Sequence, residues 1–187
     1  MNDDSVVEPS PPSLVAEPLN WLFAEHDRHR RFCSLIERIA DSEVVLRDEV
    51  AAVLVFLRHD LPLHIVDEED DLFPMLRRRC EPEDELDRAL GALSADHRDD
   101  IEAVAQLADL LEEALRQNHS FAAAPDAQRL LRAFVTRERS HIALENAVVL
   151  PIARLRLGPE DLDLFSRRMA ARRGRLEPPT AAPETAA

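Results

Sequence analysis

The sequence predicts an all-α fold, an antiparallel up-down-up-down four-helix bundle with a short extra helix at its C-terminal end. Three observations predict it. Leu, Ala, Arg and Glu are abundant, while the chain has only three Gly and no Tyr, a palette of helix formers poor in residues that suit a sheet. Apolar residues recur at alternating steps of three and four through four long stretches, the period of one helix face. Breakers near Asp41 and Ser42, at Cys80-Glu81-Pro82, at Ala124-Pro125 and at Gly158-Pro159 leave only short connections, which make consecutive helices antiparallel neighbours.

The first stretch carries Leu19, Leu22, His26, His29, Cys33, Ile36 and Ala40 on one face, and the second Val50, Val53, Leu57, Leu61, His64, Glu68, Leu72 and Met75. The third runs Leu86, Leu90, Leu93, His97, Ile101, Val104, Ala108, Leu111 and Leu115. The fourth runs Leu130, Phe134, Glu138, His141, Glu145, Val148, Ile152 and Leu155. A short helix around 161–173 sets Leu162, Phe165 and Met169 against a cluster of arginines. Pro62 and Pro151 each remove a backbone donor inside a helical pattern, so the helices are expected to bend there with the apolar phase continuing across.

The 187 residues suit one domain, expected over 14–175 between flexible tails 1–13 and 176–187, which hold six of the 13 prolines and no apolar period. The formal charge of -14 argues against a nucleic-acid partner, which needs clustered Lys and Arg. No apolar run approaches the roughly 20 residues of a membrane span, and the N-terminus lacks a basic segment followed by an apolar one. Cys33 and Cys80 are too few for a disulfide framework. A soluble cytoplasmic protein is therefore expected.

The informative residues are polar ones in apolar positions. His26, His64, His97 and His141 each sit near the middle of a stripe, one per long helix, and Glu68 and Glu145 continue two of those stripes. Burying such carboxylates unpaired costs several kcal/mol each, and a cluster of metal ions would satisfy imidazoles and carboxylates together. The spacing H-x-x-x-[DE] alone proves little, since seven His and 37 acidic residues in 187 make about one or two occurrences by chance. The matching context carries the argument. His64-Ile65-x-x-Glu68 then Pro74 parallels His141-Ile142-x-x-Glu145 then Pro151, and Ala24-Glu25-His26 parallels Ala95-Asp96-His97. Residues four apart share a helix face, so two such units supply four imidazoles and two carboxylates. Six side chains would saturate one octahedral ion, whereas two ions would keep open positions for a shared small ligand.

The segments EHDRHRRFC, LPLHIVDEEDDLFPML, SADHRDD and SHIALENAVVLPIARL resemble the hemerythrin-like, HHE cation-binding family across nearly all of the folded region. The resemblance implies that His26, His64, Glu68, His97, His141 and Glu145 are metal ligands, holding two iron ions with a bridging oxo or hydroxo group. It implies a non-haem di-iron protein that binds or reacts with dioxygen, peroxide or nitric oxide, or alternatively an iron-responsive sensor or iron-handling module without turnover. The oxygen-carrying hemerythrins have a second His one turn from the first in the third helix, where this chain has Leu93 and Ile101. The resemblance therefore implies a more open, more reactive centre than a reversible oxygen carrier. A ferritin-like assignment fails because it needs two Glu-x-x-His motifs, and only Glu138 to His141 qualifies; Leu61 stands at the matching place in the first unit.

No side chain stands out as a nucleophile or general acid, so the sequence leaves enzymatic turnover, catalase-like activity included, undecided. His29 shares the stripe of His26 and is expected at the edge of the seam, and Glu138 is a candidate partner for an imidazole N–H. His59 and His119 are poor ligand candidates. Glu69 is expected to form a solvated acidic face with Asp67, Asp70 and Asp71, and Cys33 to lie in the core. The arginines at 77–79 and 167–175 are candidates to pair with acidic faces or another subunit. Oligomeric state is not legible.

Overall fold

In the computed structural model, which describes residues 7–175, the four periodic stretches are helical and the breakers fall between them. Helix α1 is Pro18–Asp41. Helix α2 is made of Arg47–Val55, Leu61–Asp67 and Phe73–Arg79, joined by the π-helical turns Phe56–Asp60 and Glu68–Leu72. Helix α3 is Leu86–Gln117. Helix α4 joins Pro125–Leu144 to Leu150–Arg156 through a π-helical turn, Glu145–Val149. Helix α5 is Pro159–Arg172. Short 3-10 turns cover Pro12–Ala16 and Pro82–Asp84, and no strand occurs among the described residues.

Helix α1 packs against α2 and α4, and α3 packs against the same two, closing an all-helical bundle. Its core is split in two. One apolar cluster holds Phe32 to Ala40 of α1, Val50 to Ile65 of α2, Leu107 to Ala114 of α3 and Leu131 to Val135 of α4. The other holds Leu19 to Leu22 of α1, Leu72 to Leu76 of α2, Leu86 to Leu93 of α3 and Val149 to Leu157 of α4, with Phe165 and Met169 of α5. Between the two lies a band of buried polar residues, His26, His29, His64, Asp67, Glu68, Asp71, His97, Asp100, Glu138, His141 and Glu145. The apolar ends supply the burial, at roughly 25 cal/mol per Å², that offsets the cost of that middle layer.

The expected unbroken phase holds across Pro62, where Leu57, Leu61, His64 and Glu68 are all buried, and fails at Pro151. Pro62, Pro74 and Pro151 each follow a π-helical turn by two residues. A proline has no N–H and clashes with the carbonyl four residues back, here Arg58, Asp70 and Ala147, the central residue of each turn. Widening the turn to an i→i+5 bond accommodates that carbonyl without breaking the helix. The extra residue shifts the register: beyond Glu145 the buried positions in α4 and at its end are Val149, Leu150, Ala153 and Leu157, while Leu155 of the expected stripe is 73% exposed. In α3, Ile101 is likewise exposed and Asp100 is buried in its place, because Arg137 Nε donates to Asp100 at 2.7 Å.

The expected solvated acidic face is corrected in part. Asp67 and Asp71 are buried, gripped by the arginines of α5 and its end: Arg172 reaches Asp67 at 2.9 Å and Asp71 at 2.5 Å, Arg173 reaches Asp67 and Arg168 reaches Asp71, both at 2.5 Å. Arg173 also lies over the Trp21 ring at 4.8 Å. Of the expected N-terminal tail, Ser10 is buried and donates to Glu25 at 2.5 Å; residues 1–6 and 176–187 lie outside the described residues. No helix among the described residues is long and apolar enough to cross a membrane. Removing one partner of a buried ion pair costs about 3–5 kcal/mol. Arg172→Leu is expected at the low end, about 3 kcal/mol by urea denaturation, because Arg168 and Arg173 stay in place.

Candidate metal centre

The polar band is built by all four long helices. Helix α1 contributes His26, α2 contributes His64 and Glu68 four residues apart, α3 contributes His97, and α4 contributes His141 and Glu145 four residues apart; none is more than 4% exposed. The structure brings all six residues expected from the sequence into two overlapping groups. His26, His64, Glu68 and Glu145 form one, and His97, His141, Glu68 and Glu145 the other; within each, the ligand atoms lie within 4.8 Å of one another. Both glutamates belong to both groups.

The distances have the scale of a coordination shell. His97 Nε2 is 3.1 Å from His141 Nε2. His26 Nε2 is 3.2 Å from Glu145 Oε2, and His141 Nε2 is 3.3 Å from Glu145 Oε1. Glu68 Oε2 lies 3.4 Å from His64 Nε2 and 3.3 Å from His97 Nε2, and Glu68 Oε1 lies 3.7 Å from His26 Nε2. Two donors at right angles on one ion, with bonds of about 2.1 Å, stand about 3 Å apart. Glu145 thus turns one oxygen to each imidazole pair.

Whether a cation fits is answered by the orphaned atoms. Both oxygens of Glu68 and both of Glu145 are buried and accept no hydrogen bond, and His26 Nε2 has no hydrogen-bond partner either. A buried carboxylate left this way costs several kcal/mol. Divalent or trivalent ions remove the cost, because each oxygen and nitrogen then has an electron-pair acceptor.

The outward nitrogens of two of the same rings are fixed. His26 Nδ1–H donates to Asn146 Oδ1 at 2.8 Å, and His97 Nδ1–H donates to Glu69 Oε1 at 2.7 Å, which sets their tautomers and aims Nε2 inward. Neither His141 Nδ1 nor His64 Nδ1 makes a hydrogen bond, though Asp96 lies 3.5 Å from the former. The ring of Phe73 stacks on His97. Sequence reasoning missed Asn146 and Glu69 in these roles, since both lie inside or beside π-helical turns that rotate them toward the rings.

His29 is not at the edge of the seam, where the sequence pattern placed it. It is fully buried, donates Nδ1–H to Glu138 Oε1 at 2.7 Å and touches His64, the ring centroids 4.5 Å apart. Its donor atoms belong to neither group. A signal existed: His29 and Glu138 are each one helical step from His26 and His141 on their stripes. Glu138 is an imidazole partner, as the sequence allowed. His59 and His119 are exposed, and Cys33 lies in the core with burial pushing its thiol up.

Charge at the cluster is set by competition. Burial opposes protonation of His26 and His141, but the surrounding Glu145 and Glu68 outweigh it and raise both to about 10. His97 is raised in the same sense, its burial overcome chiefly by Glu68. Burial, with His29 and His26 nearby, holds His64 well below its usual value. Against its own burial, Glu145 is held well below the carboxylate range by His141 and His26. Protons therefore occupy the cluster where cations would.

Two consequences can be measured. A histidine raised on folding adds stability that is fully present below its unfolded value of about 6.5 and is lost as pH rises to about 10. His64, lowered, adds stability that is present above about 6.5 and lost as pH falls. The metal-free chain is therefore expected to melt highest near pH 6.5, with stability falling on both sides. Cation uptake near pH 8 displaces the protons of His26 and His141, so calorimetry in buffers of different ionisation heat should show about two protons released.

The match to known proteins agrees with this geometry. Residues 17–153 match the model of the hemerythrin HHE cation binding domain. The chain is also similar to an uncharacterized protein of Haemophilus influenzae, 27% identical over 175 residues that take in 90% of this chain and 96% of the relative. No solved structure matches the chain. The matched span contains every residue of both groups, and on that match the chain belongs to the hemerythrin HHE cation-binding domain family.

Proposed function

We propose that the chain binds two iron ions in the polar band, with His26, His64, Glu68, His97, His141 and Glu145 as ligands, and that the loaded centre takes up or reacts with dioxygen, peroxide or nitric oxide. One observation carries the reading: Glu145 turns Oε2 toward His26 and Oε1 toward His141, while all four glutamate oxygens lack hydrogen bonds. Each ion would be held by two imidazoles and the two shared glutamates, a set that would leave room for a small ligand. Iron supplies redox change there, and a pair of ions a few ångströms apart shares such a ligand. The near-complete burial of the ligands favours reactants of a few atoms. The alternation of helix halves in each apolar cluster supports an antiparallel up-down-up-down order, and two free cysteines are in keeping with the cytoplasm.

A second reading, an iron-responsive module without turnover, draws on the arginine clamp. Asp67 precedes the π-helical turn that begins at Glu68 and Asp71 lies within it, and α5 holds both. Loading Glu68 would then stiffen the seat of α5, and a partner would read that order. A ligand that binds only the folded form raises its stability, so this reading expects α5 to become protease-sensitive when iron is stripped. The redox reading does not require it.

Metal analysis with an optical spectrum tests the main reading. Two irons per chain are expected, with His64→Ala and Glu145→Ala each retaining at most about half and His119→Ala retaining all. Rapid mixing of the reduced protein with oxygen should give fast, irreversible oxidation. A stable, reversible oxygen adduct would overturn the reactive centre in favour of a carrier.

A further inference from the structure

Each imidazole of the cluster that binds through Nε2 must carry its proton on Nδ1, and that proton needs an acceptor. His26 has Asn146 and His97 has Glu69; His141 Nδ1 makes no hydrogen bond but has the carboxylate of Asp96 beside it at 3.5 Å. His64 has none: its Nδ1 is buried without a partner. The neighbouring ring is His29, 4.5 Å away between centroids and tilted at 64°. Glu138 accepts the Nδ1–H of His29 at 2.7 Å, which in the neutral ring leaves His29 Nε2 with a lone pair, and that atom too is buried without a partner. The two orphans are complementary, one a donor and one an acceptor, on rings already in contact.

Glu138 is fixed as an acceptor by its surroundings. It is buried with no more than 2% exposure, and its pairing with His29 outweighs burial and holds it ionised. A carboxylate of this kind can only accept, so the tautomer of His29 is set from outside. Phe56, edge-on to His29 at 4.9 Å, closes the ring on another side.

We propose that Glu138 and His29 are positioning residues for the cation site on the α1–α2 side: His29 Nε2 accepts the Nδ1–H of His64, directly or through one water, when His64 turns its Nε2 to a metal. The result is a chain carboxylate–imidazole–imidazole–cation, in which Glu138 makes His29 a better acceptor and His29 makes His64 a better ligand. This assignment rests on the metal-centre reading. Outer partners of this kind change metal affinity by roughly 10–100-fold.

The test uses the full chain loaded with cobalt(II), whose paramagnetism moves the Nδ1–H signal of each ligating imidazole far out of the proton spectrum. Four such exchangeable signals are expected. Asn146→Ala and Glu69→Gln identify those of His26 and His97. His29→Gln keeps an acceptor for His64 and a donor for Glu138, so it should hold all four signals and bind cobalt close to the original affinity. His29→Phe keeps the aromatic packing on Phe56 but offers no acceptor. Combined with Glu138→Leu, so that no buried charge is left unpaired, it should move or lose one signal other than those two and weaken cobalt binding 10–100-fold. If the Phe/Leu variant binds as tightly as the Gln variant, with four unmoved signals, the positioning role is overturned and His29 only fills space. A fifth signal, lost with His29, would overturn it by making His29 a ligand. No shifted signals at all in the original chain would instead overturn the metal centre, and the positioning role with it.

Discussion

Two carboxylates buried among imidazoles without a hydrogen bond are the constraint on which the arrangement depends. Glu68 and Glu145 place four anionic oxygens in the middle of a helical bundle, where they are shut off from solvent. Such groups are tolerated only where positive charge is supplied close by. In the metal-free chain that charge is protons on His26 and His141. Cations in the same places would do better, since each oxygen then gains a directed bond. The same side chains thus serve two purposes: held as protonated pairs they let the bundle fold, and relieved of protons they become ligands.

Holding those groups in register falls to the π-helical turns. Glu68 and Glu145 each open one, and a proline six residues later stands where an ordinary helix would clash with it. Widening the turn leaves backbone carbonyls less regularly paired than in an α-helix, so it is a local cost borne at the site. Its geometric effect is on the residues that follow. Asn146 comes within 2.8 Å of His26, a helix away, and Glu69 reaches His97. The twice-used pattern of His, Glu and Pro in the sequence is therefore also a twice-used backbone deformation, with a third copy, Phe56–Asp60 before Pro62, that carries no metal-ligand glutamate.

The same deformation explains what was legible from the sequence and what was not. A 3.6-residue period identifies stripes, and the stripe positions of α1 and α2 are buried as expected, including His26, His64 and Glu68. The six residues expected to bind metal converge because the period holds up to each glutamate. Past Glu145 it does not: one extra residue in the turn moves burial from Val148, Ile152 and Leu155 toward Val149, Ala153 and Leu157. Charged residues fail for another reason. Asp67, Asp71 and Asp100 look like surface in any single-helix pattern, and they are inside only because arginines from other helices reach them. A linear pattern records the side chain that needs a partner and says nothing about a partner 37 or more residues away.

The two imidazole pairs consequently live in different surroundings. His97 and His141 are bordered by carboxylates that touch solvent, Glu69 and Asp96, with side chains 31% and 37% exposed. His26 and His64 are backed by an amide and by the fully enclosed His29. Negative charge beside an imidazole favours the cation bound to it, and an open border lets that charge be screened by salt, whereas an enclosed one keeps its full effect. A pair of residue groups each built from two histidines and the same two glutamates is thus made unequal by what stands behind the rings. In the proposed two-iron centre, inequality of this kind would let the ions hold different charge at the same moment, which a symmetric cradle of identical ligands would resist.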